Sequence, residues 1–498
     1  MTPPAGSGDD AWLGVDVGTQ SVRAVTVTRT GSVLGAGARA LAGRRDGPRH
    51  EQDPDSWWDA VAGATTEALL GVRGETLRGV AVDATSGTVV LTDAHGRPLS
   101  PGLMYDDTRA AGYVDRVNEA GAQVWAELGY ARMQPSWALP KLLWLLDEYS
   151  AAVRGGARLA HQSDVVNRHL VGNEVPTDLS NALKTGAHLI DEKWPTDVLE
   201  GLAVPADVLP ALVRPGTCIG TVSASAAAAT RIPQGTPVVA GMTDGCAAQL
   251  GAGVVVPGSW NSVLGTTLVL KGVTEQLVRD PLGVVYSHKA PDGHWLPGGA
   301  SNIGAGVIAR DFAGRDLAEL DRLAARRQPA RAIAYPLAST GERFPFVAAD
   351  AEAFTLGASP DDVDRYASIL QGVGYIERLC FDYLDLIGAD VSGEVRFTGG
   401  GSRSRYWSQL RADILGRPVT LPDNAEPALG MALLAAAHDS ERIDVIAADM
   451  VHVRETIEPA RASAGRYDEA YLHLVDELES RGWLQPVAAT HARTRTRR

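Results

Sequence analysis

The chain has 498 residues, too long for one compact core and suited to two domains of a few hundred residues each. Hydrophobic residues make up 45% and charged residues 21%, an ordinary globular balance, and the net charge of -14 lacks the basic footprint of a nucleic-acid binder. No apolar run approaches the roughly 18 residues a membrane span needs. The acidic N-terminus has neither a basic n-region nor an apolar h-region, so a cytoplasmic protein is expected.

Residues 1–10 read as a disordered tail. Trp12 to Val17 is an apolar strand running into the turn Val17-Gly18-Thr19, and Val22 to Thr28 is the returning strand. Another strand begins near Val33. Asp53-Pro54-Asp55 starts an amphipathic helix carrying Trp57, Trp58, Val61, Ala64 and Leu69. Gly79 to Asp83 and Val89 to Asp93 read as strands, Leu139 to Tyr149 as a helix, and Val238 to Gly241 as a strand. Val254 to Gly258 is a domain boundary, which divides the chain into 11–257 and 258–482. Beyond it the opening pattern restarts, with strand Ser259 to Leu264, turn Gly265-Thr266-Thr267 and strand Leu268 to Lys271. This echo hints at two related halves. Helix and strand alternate from Ser402 to about Ala437, Asp468 to Ser480 is the last helix, and residues 486–498 form a mobile tail.

Cys218, Cys246 and Cys380 are far apart and lack metal-ligand spacing, so Cys246 reads as a small buried hydrophobe. The chain has no G-x-x-x-x-G-K-[ST] loop, G-x-G-x-x-G fingerprint or H-E-x-x-H helix.

Five stretches could carry chemistry. Asp16-Val17-Gly18-Thr19-Gln20-Ser21 suits a phosphate cradle with Asp16 near a magnesium ion, or equally a hairpin with a capping Asp. Gly265-Thr266-Thr267 supplies donors to a phosphate or is a plain turn. Gly399-Gly400-Gly401-Ser402 follows a strand and precedes a helix, where backbone N–H groups favour anions. Asp244, flanked by Gly241 and Gly245, fits a general base, a helix N-cap, or both. Tyr105-Asp106-Asp107-Thr108-Arg109 suits polyol binding or a surface salt-bridge cluster.

These stretches, in this order, resemble the FGGY carbohydrate kinases. The resemblance runs from about Trp12 to Ala437. It also covers Gln52-x-Pro54-x-x-Trp57-Trp58, Gly241-x-Thr243-Asp244 and Glu426-x-Ala428-x-Gly430. It implies an α/β, actin-like ATPase (ribonuclease H-like) fold, with two domains flanking a deep cleft, a sugar-binding N-terminal domain and a nucleotide-binding C-terminal domain. It implies ATP and Mg2+ as cofactors, Asp244 as catalytic base, and Asp16, Thr19, Gln20, Ser21, Gly265 and Thr266 in the phosphate loops. It places Gly400, Gly401 and Ser402 at adenosine, and Ser86, Asp106, Asp107 and Asp244 at the sugar.

Within the family, several segments look like the D-ribulose kinase branch: Ala84-Thr85-Ser86-Gly87-Thr88, Met104-Tyr105, Asp178-x-x-Asn181-Ala182-Leu183-Lys184, Tyr286-Ser287-His288, Gly298-Gly299-Ala300-Ser301-Asn302 and Gly341-Glu342-Arg343-Phe344-Pro345. Asp106 stands where xylulose kinases usually have Asn. The expectation is ATP-dependent phosphorylation of D-ribulose to D-ribulose 5-phosphate by a monomer or homodimer. D-Xylulose, L-ribulose, glycerol and erythritol are the alternatives, and a non-catalytic actin-like ATP-binding protein is the remote one.

Overall fold

The computed structural model describes residues 10–438 and 442–497. Residues 1–9 of the expected N-terminal tail lie outside the described residues, but Asp10 belongs to the fold: it is buried and pairs with Arg78 at 2.6 Å. The described chain forms two compact units. The first runs to Val255 and adds His288–Leu296 and Asn424–His452; the second takes Val256–Ser287, Pro297–Asp423 and the chain from Val453 onward. The two sequence-derived ranges therefore miss two returns of the chain to the first unit.

The first unit is built on a six-stranded sheet. Its strands are β1 (Ala11–Val17), β2 (Ser21–Thr28), β3 (Val33–Ala40), β4 (Leu77–Ala84), β5 (Cys218–Thr221) and β6 (Pro237–Val239), in the order β5-β6-β4-β1-β2-β3. β1, β2 and β3 form an antiparallel meander, while β4 and β6 continue the sheet parallel to β1. Both faces are covered, so β1 and β4 read as continuous apolar runs rather than alternating ones. Helix Pro54–Ala68 starts where the carboxylate of Asp53 accepts from the N–H of Asp55, with Pro54 at its first turn. It buries Trp57, Val61 and Ala64 in the core of this unit.

Helix Pro427–Ala436 is apolar on all sides and packs against β1, β4 and helix Asp244–Gly251. Small residues set that packing. A Cβ on Gly430 would lie 2.0 Å from the carbonyl oxygen of Ala247, and one on Gly251 2.4 Å from that of Glu426. The Glu426-x-Ala428-x-Gly430 spacing is thus a close helix crossing.

A seven-stranded sheet built mostly from the second unit repeats the plan. Its strands are β7 (Trp260–Leu264), β8 (Leu268–Gly272), β9 (Tyr286–Lys289), β10 (Trp295–Ser301), β11 (Val395–Thr398), β12 (Val419–Pro422) and β13 (Val453–Ile457), in the order β9-β10-β8-β7-β11-β12-β13. β7 again opens a meander and again lies parallel to the later strands β11 and β12 through β11. Helix Asp362–Leu386 runs through its core, buried on nearly every face.

The chain after Asp468–Ser480 is a further helix, Pro486–Thr496, and not a mobile tail. Its alanines 488, 489 and 492 are buried, and Arg495 reaches Asp382 and Asp385 at 3.0 and 2.8 Å. Ala spacing and acidic partners on neighbouring helices hold a segment whose own composition suggests only a charged end.

Candidate active site

Three carboxylates sit at the C-terminal ends of three neighbouring strands in the first unit. Asp16 is the penultimate residue of β1 and Asp83 that of β4, and the two stand opposite each other in the parallel register. Beyond β6, Thr243 bridges to Ala84, and the next residue, Asp244, opens helix Asp244–Gly251. The Asp244 carboxylate accepts from the N–H of Gly245 at 2.7 Å.

Electrostatically this is a place where like charges are pressed together. Burial pushes the Asp16 carboxyl up to about 6, and the charges of Asp244 and Glu426 add to the rise, against Asp83 and Arg23. Burial raises Asp83 well above the carboxylate range, with Asp16 and Asp244 adding to it. Asp83 is wholly buried, and its two oxygens have no hydrogen-bond partner among the described residues. Sequence reading placed Asp83 at the end of a strand but missed it as a site residue. The available signal was a single carboxylate ending the apolar run Val80-Ala81-Val82.

Among the described residues no three side chains form a metal cage made of protein alone. Magnesium takes one or two carboxylates and fills its octahedron with phosphate oxygens and water. Asp16, half-buried with an unsatisfied acidic neighbour, fits that requirement.

The turn from Gly18 to Gln20 joins β1 to β2, and the N–H of Gly18 bonds to Ser21 O at 3.1 Å. Gln52 braces it by donating to Thr19 O at 2.7 Å, while the Gln52 oxygen accepts from Trp57 Nε1 at 2.8 Å. This explains the Gln52-x-Pro54-x-x-Trp57 spacing. The helix-borne Trp fixes the Gln that fixes the turn.

The sequence-derived sugar residues divide. Asp107 is fully buried, and its carboxylate is committed to the guanidinium and N–H of Arg109 and to the N–H of His50. These bonds brace the turn. Asp106 is half-buried and takes His50 Nδ1 at 2.5 Å and Arg45 Nη2 at 2.7 Å. Burial works to raise it, but these two donors hold its carboxyl below the usual range. The Ser86 hydroxyl is buried with no hydrogen-bond partner among the described residues. Behind Asp244, Ser180 Oγ lies 3.2 Å from the Thr243 hydroxyl and 3.1 Å from His288 Nδ1.

In the second unit the expected nucleotide residues gather at the end of β7. Gly265, Thr266 and Thr267 form the β7–β8 turn, and Thr266 is exposed. Gly399 has φ +80°, and a Cβ there would lie 2.7 Å from Leu264 O. The Gly399–Gly401 turn therefore passes directly over the end of β7. Gly400–Arg403 is a 3-10 turn, while the α-helix Arg405–Leu415 is capped by Ser404, whose hydroxyl accepts from Trp407 N at 2.9 Å. The glycines thus precede the helix N-terminus by several residues. Ser402 Oγ donates to Gly399 O at 2.7 Å.

Residues 11–251 match the model of the FGGY family of carbohydrate kinases, N-terminal domain, and residues 260–438 that of its C-terminal domain. The chain is 32% identical over 436 residues to a xylulose kinase of Streptomyces coelicolor, covering 85% of this chain and 87% of that one. It is 30% identical over 448 residues to a xylulose kinase of Streptomyces rubiginosus, with the same coverage. The crystal structure of xylulose kinase from Rhodospirillum rubrum superposes with a TM-score of 0.83 at 26% identity, covering 94% of this chain and 98% of that one. With both family domains matched in order over an actin-like ATPase fold, the chain belongs to the FGGY family of carbohydrate kinases, enzymes that phosphorylate sugars with ATP.

Proposed function

We propose that this kinase phosphorylates a terminal hydroxyl of a ketopentose, and that D-xylulose is its first-ranked substrate. The first unit takes the sugar and the second takes ATP. The observation that carries the reading is the set of carboxylates at the ends of β1, β4 and β6, with Asp244 at a helix start where its carboxylate is reachable. A kinase needs a carboxylate to orient the acceptor hydroxyl and take its proton. Asp244 serves as that base. Ser86 and Asp106 hold the sugar hydroxyls. In the second unit Gly265 and Thr266 present donors to the phosphates, and Gly400, Gly401 and Ser402 leave room for adenosine. Magnesium, held by Asp16, would offset charge on the transferred phosphoryl group.

The relatives named xylulose kinase support the first-ranked sugar. Part of the D-ribulose resemblance has a structural origin. Glu342 accepts from Ser301 Oγ at 2.9 Å and Asn302 N at 2.8 Å, and a Cβ on Gly299 would lie 2.8 Å from the Phe344 ring. The Gly298–Asn302 and Gly341–Pro345 segments therefore meet each other inside the second unit, and their sequences answer to that packing. D-Ribulose stays as the second reading because of Asp106, which the donors His50 and Arg45 keep ionised as an acceptor. A site built on hydroxyl bonding discriminates strongly on such a change.

The test is ADP release with Mg-ATP and D-xylulose, D-ribulose, L-ribulose, glycerol, erythritol or no sugar. The highest kcat/KM is expected with D-xylulose. A preference for D-ribulose would transfer the assignment to the second reading, and stimulation only by a polyol would overturn both.

A further inference from the structure

Lys141 sits on helix Ala138–Glu148 with Leu139, Leu142, Leu143 and Leu145 and is completely buried. A lysine is almost never fully buried without partners, because its ammonium loses its hydration. Burial drives this one down to about 7, with Lys184 and Arg109 pushing the same way and Asp107 and Asp106 opposing. A leucine would fill the same space at no such cost. What a leucine could not do is donate hydrogen bonds, and both of Lys141's acceptors are backbone carbonyls: Gly87 O at 3.0 Å and Met104 O at 2.6 Å.

The two carbonyls belong to separate stretches of chain. Gly87 follows Ser86 and has φ +90°, a loop conformation that few other residues would hold. Met104 opens the turn that carries Tyr105 and Asp106, and its carbonyl also accepts from Asp107 N at 3.0 Å. A second lysine, Lys184, donates to Ser86 O of the same loop at 3.2 Å. The Ser86 hydroxyl is left buried and without a hydrogen-bond partner among the described residues.

We infer that Lys141 is a positioning residue for the sugar: its ammonium ties the Ser86–Gly87 loop to the Met104–Asp107 turn and so sets the spacing between the Ser86 hydroxyl and the Asp106 carboxylate. This rests on the assignment of Ser86 and Asp106 to the sugar. Lys141 touches no reacting atom; it acts through the backbone of the residues that do. Lys184 is the weaker half of the same device.

The experiment measures kcat and both KM values for wild type, Lys141→Met, Lys184→Met and Asp106→Ala, using whichever of D-xylulose and D-ribulose the wild type turns over better. Lys141→Met should raise the sugar KM by about tenfold or more and leave the ATP KM within about twofold, since small misplacements of binding groups carry penalties of that order. Lys184→Met should raise the sugar KM by roughly threefold, with the ATP KM unchanged. A lysine needed only for folding would lower kcat per mole of protein and leave the sugar KM where it was, and that result overturns the proposal. Should Lys141→Met fail to fold, Lys184→Met decides: a selective rise in sugar KM supports the clamp, and no change overturns it. An unchanged sugar KM in Asp106→Ala would sink the site assignment itself. A raised one beside an unchanged Lys141→Met would sink the clamp alone.

Discussion

The two units share a strand order yet differ in the charge they place at the ends of their central parallel strands. In the first, β1 and β4 place Asp16 opposite Asp83. In the second, the same register of the parallel pair β7 and β11 places Val263 opposite Thr398. The second unit does bury ions, but as partners: Arg411 and Glu377 are both fully buried, bonded at 2.7 Å, with Ser262 bridging to each. Paired charge in a core is architecture. Carboxylates crowded against one another strain the fold and persist where chemistry uses them. The repeated scaffold thus carries two specialised ends, an acidic one on the first unit and a glycine-rich one on the second.

The largest effect on stability should come from breaking the pair in the second unit. Arg411→Met leaves Glu377 buried without its partner and should cost about 3–5 kcal/mol in urea unfolding, with much of it recovered by adding Glu377→Gln. A loss below about 1 kcal/mol would show that this pair is not the counterpart the comparison requires.

The reverse holds at Asp16. Its folded-state carboxyl titrates near 6 against an ordinary 3.8, so the folded protein binds this proton more tightly than the unfolded chain. The group is neutral in effect below about pH 4, and its ionisation destabilises the fold increasingly as pH rises through 4 to 6, by about 3 kcal/mol in all. Without metal or nucleotide, lowering the pH from 7 to 5 should recover roughly 1–2 kcal/mol in wild type beyond what Asp16→Asn recovers. Equal gains in both proteins would remove Asp16 from the strained cluster.

A smaller effect is expected at the glycine turn. Gly399→Ala puts a Cβ against Leu264 O at a positive φ, and should raise the ATP KM by about tenfold while leaving the sugar KM unchanged. A rise in sugar KM instead would break the division of labour between the units.

The sequence made the strands of both meanders legible, because β1, β2, β7 and β8 are short apolar runs joined by glycine turns. Helix Asp362–Leu386 was not legible: buried nearly all round, it shows no single apolar stripe. Of the five-stranded satellite sheet, the apolar strand Val89–Thr92 was legible, while Arg44–Asp46 and Arg49–Gln52 escaped because these short strands carry charged and polar side chains. In the site, Asp16 and Asp244 could be read from their glycine-flanked positions. Asp83 could not, because only the parallel register of β1 and β4 brings it against Asp16. The spacing of Asp107 from Arg109 fits a sugar clamp and an internal brace equally well, so the bond between them could not be read from sequence alone.

The most direct test compares Asp244→Asn with wild type for ADP formation from Mg-ATP and the preferred ketopentose, alongside the Kd for ATP. The account predicts turnover lower by about 10³-fold or more, with ATP binding within about twofold of wild type. Turnover near the wild-type rate would contradict it and move the proton-accepting role away from Asp244.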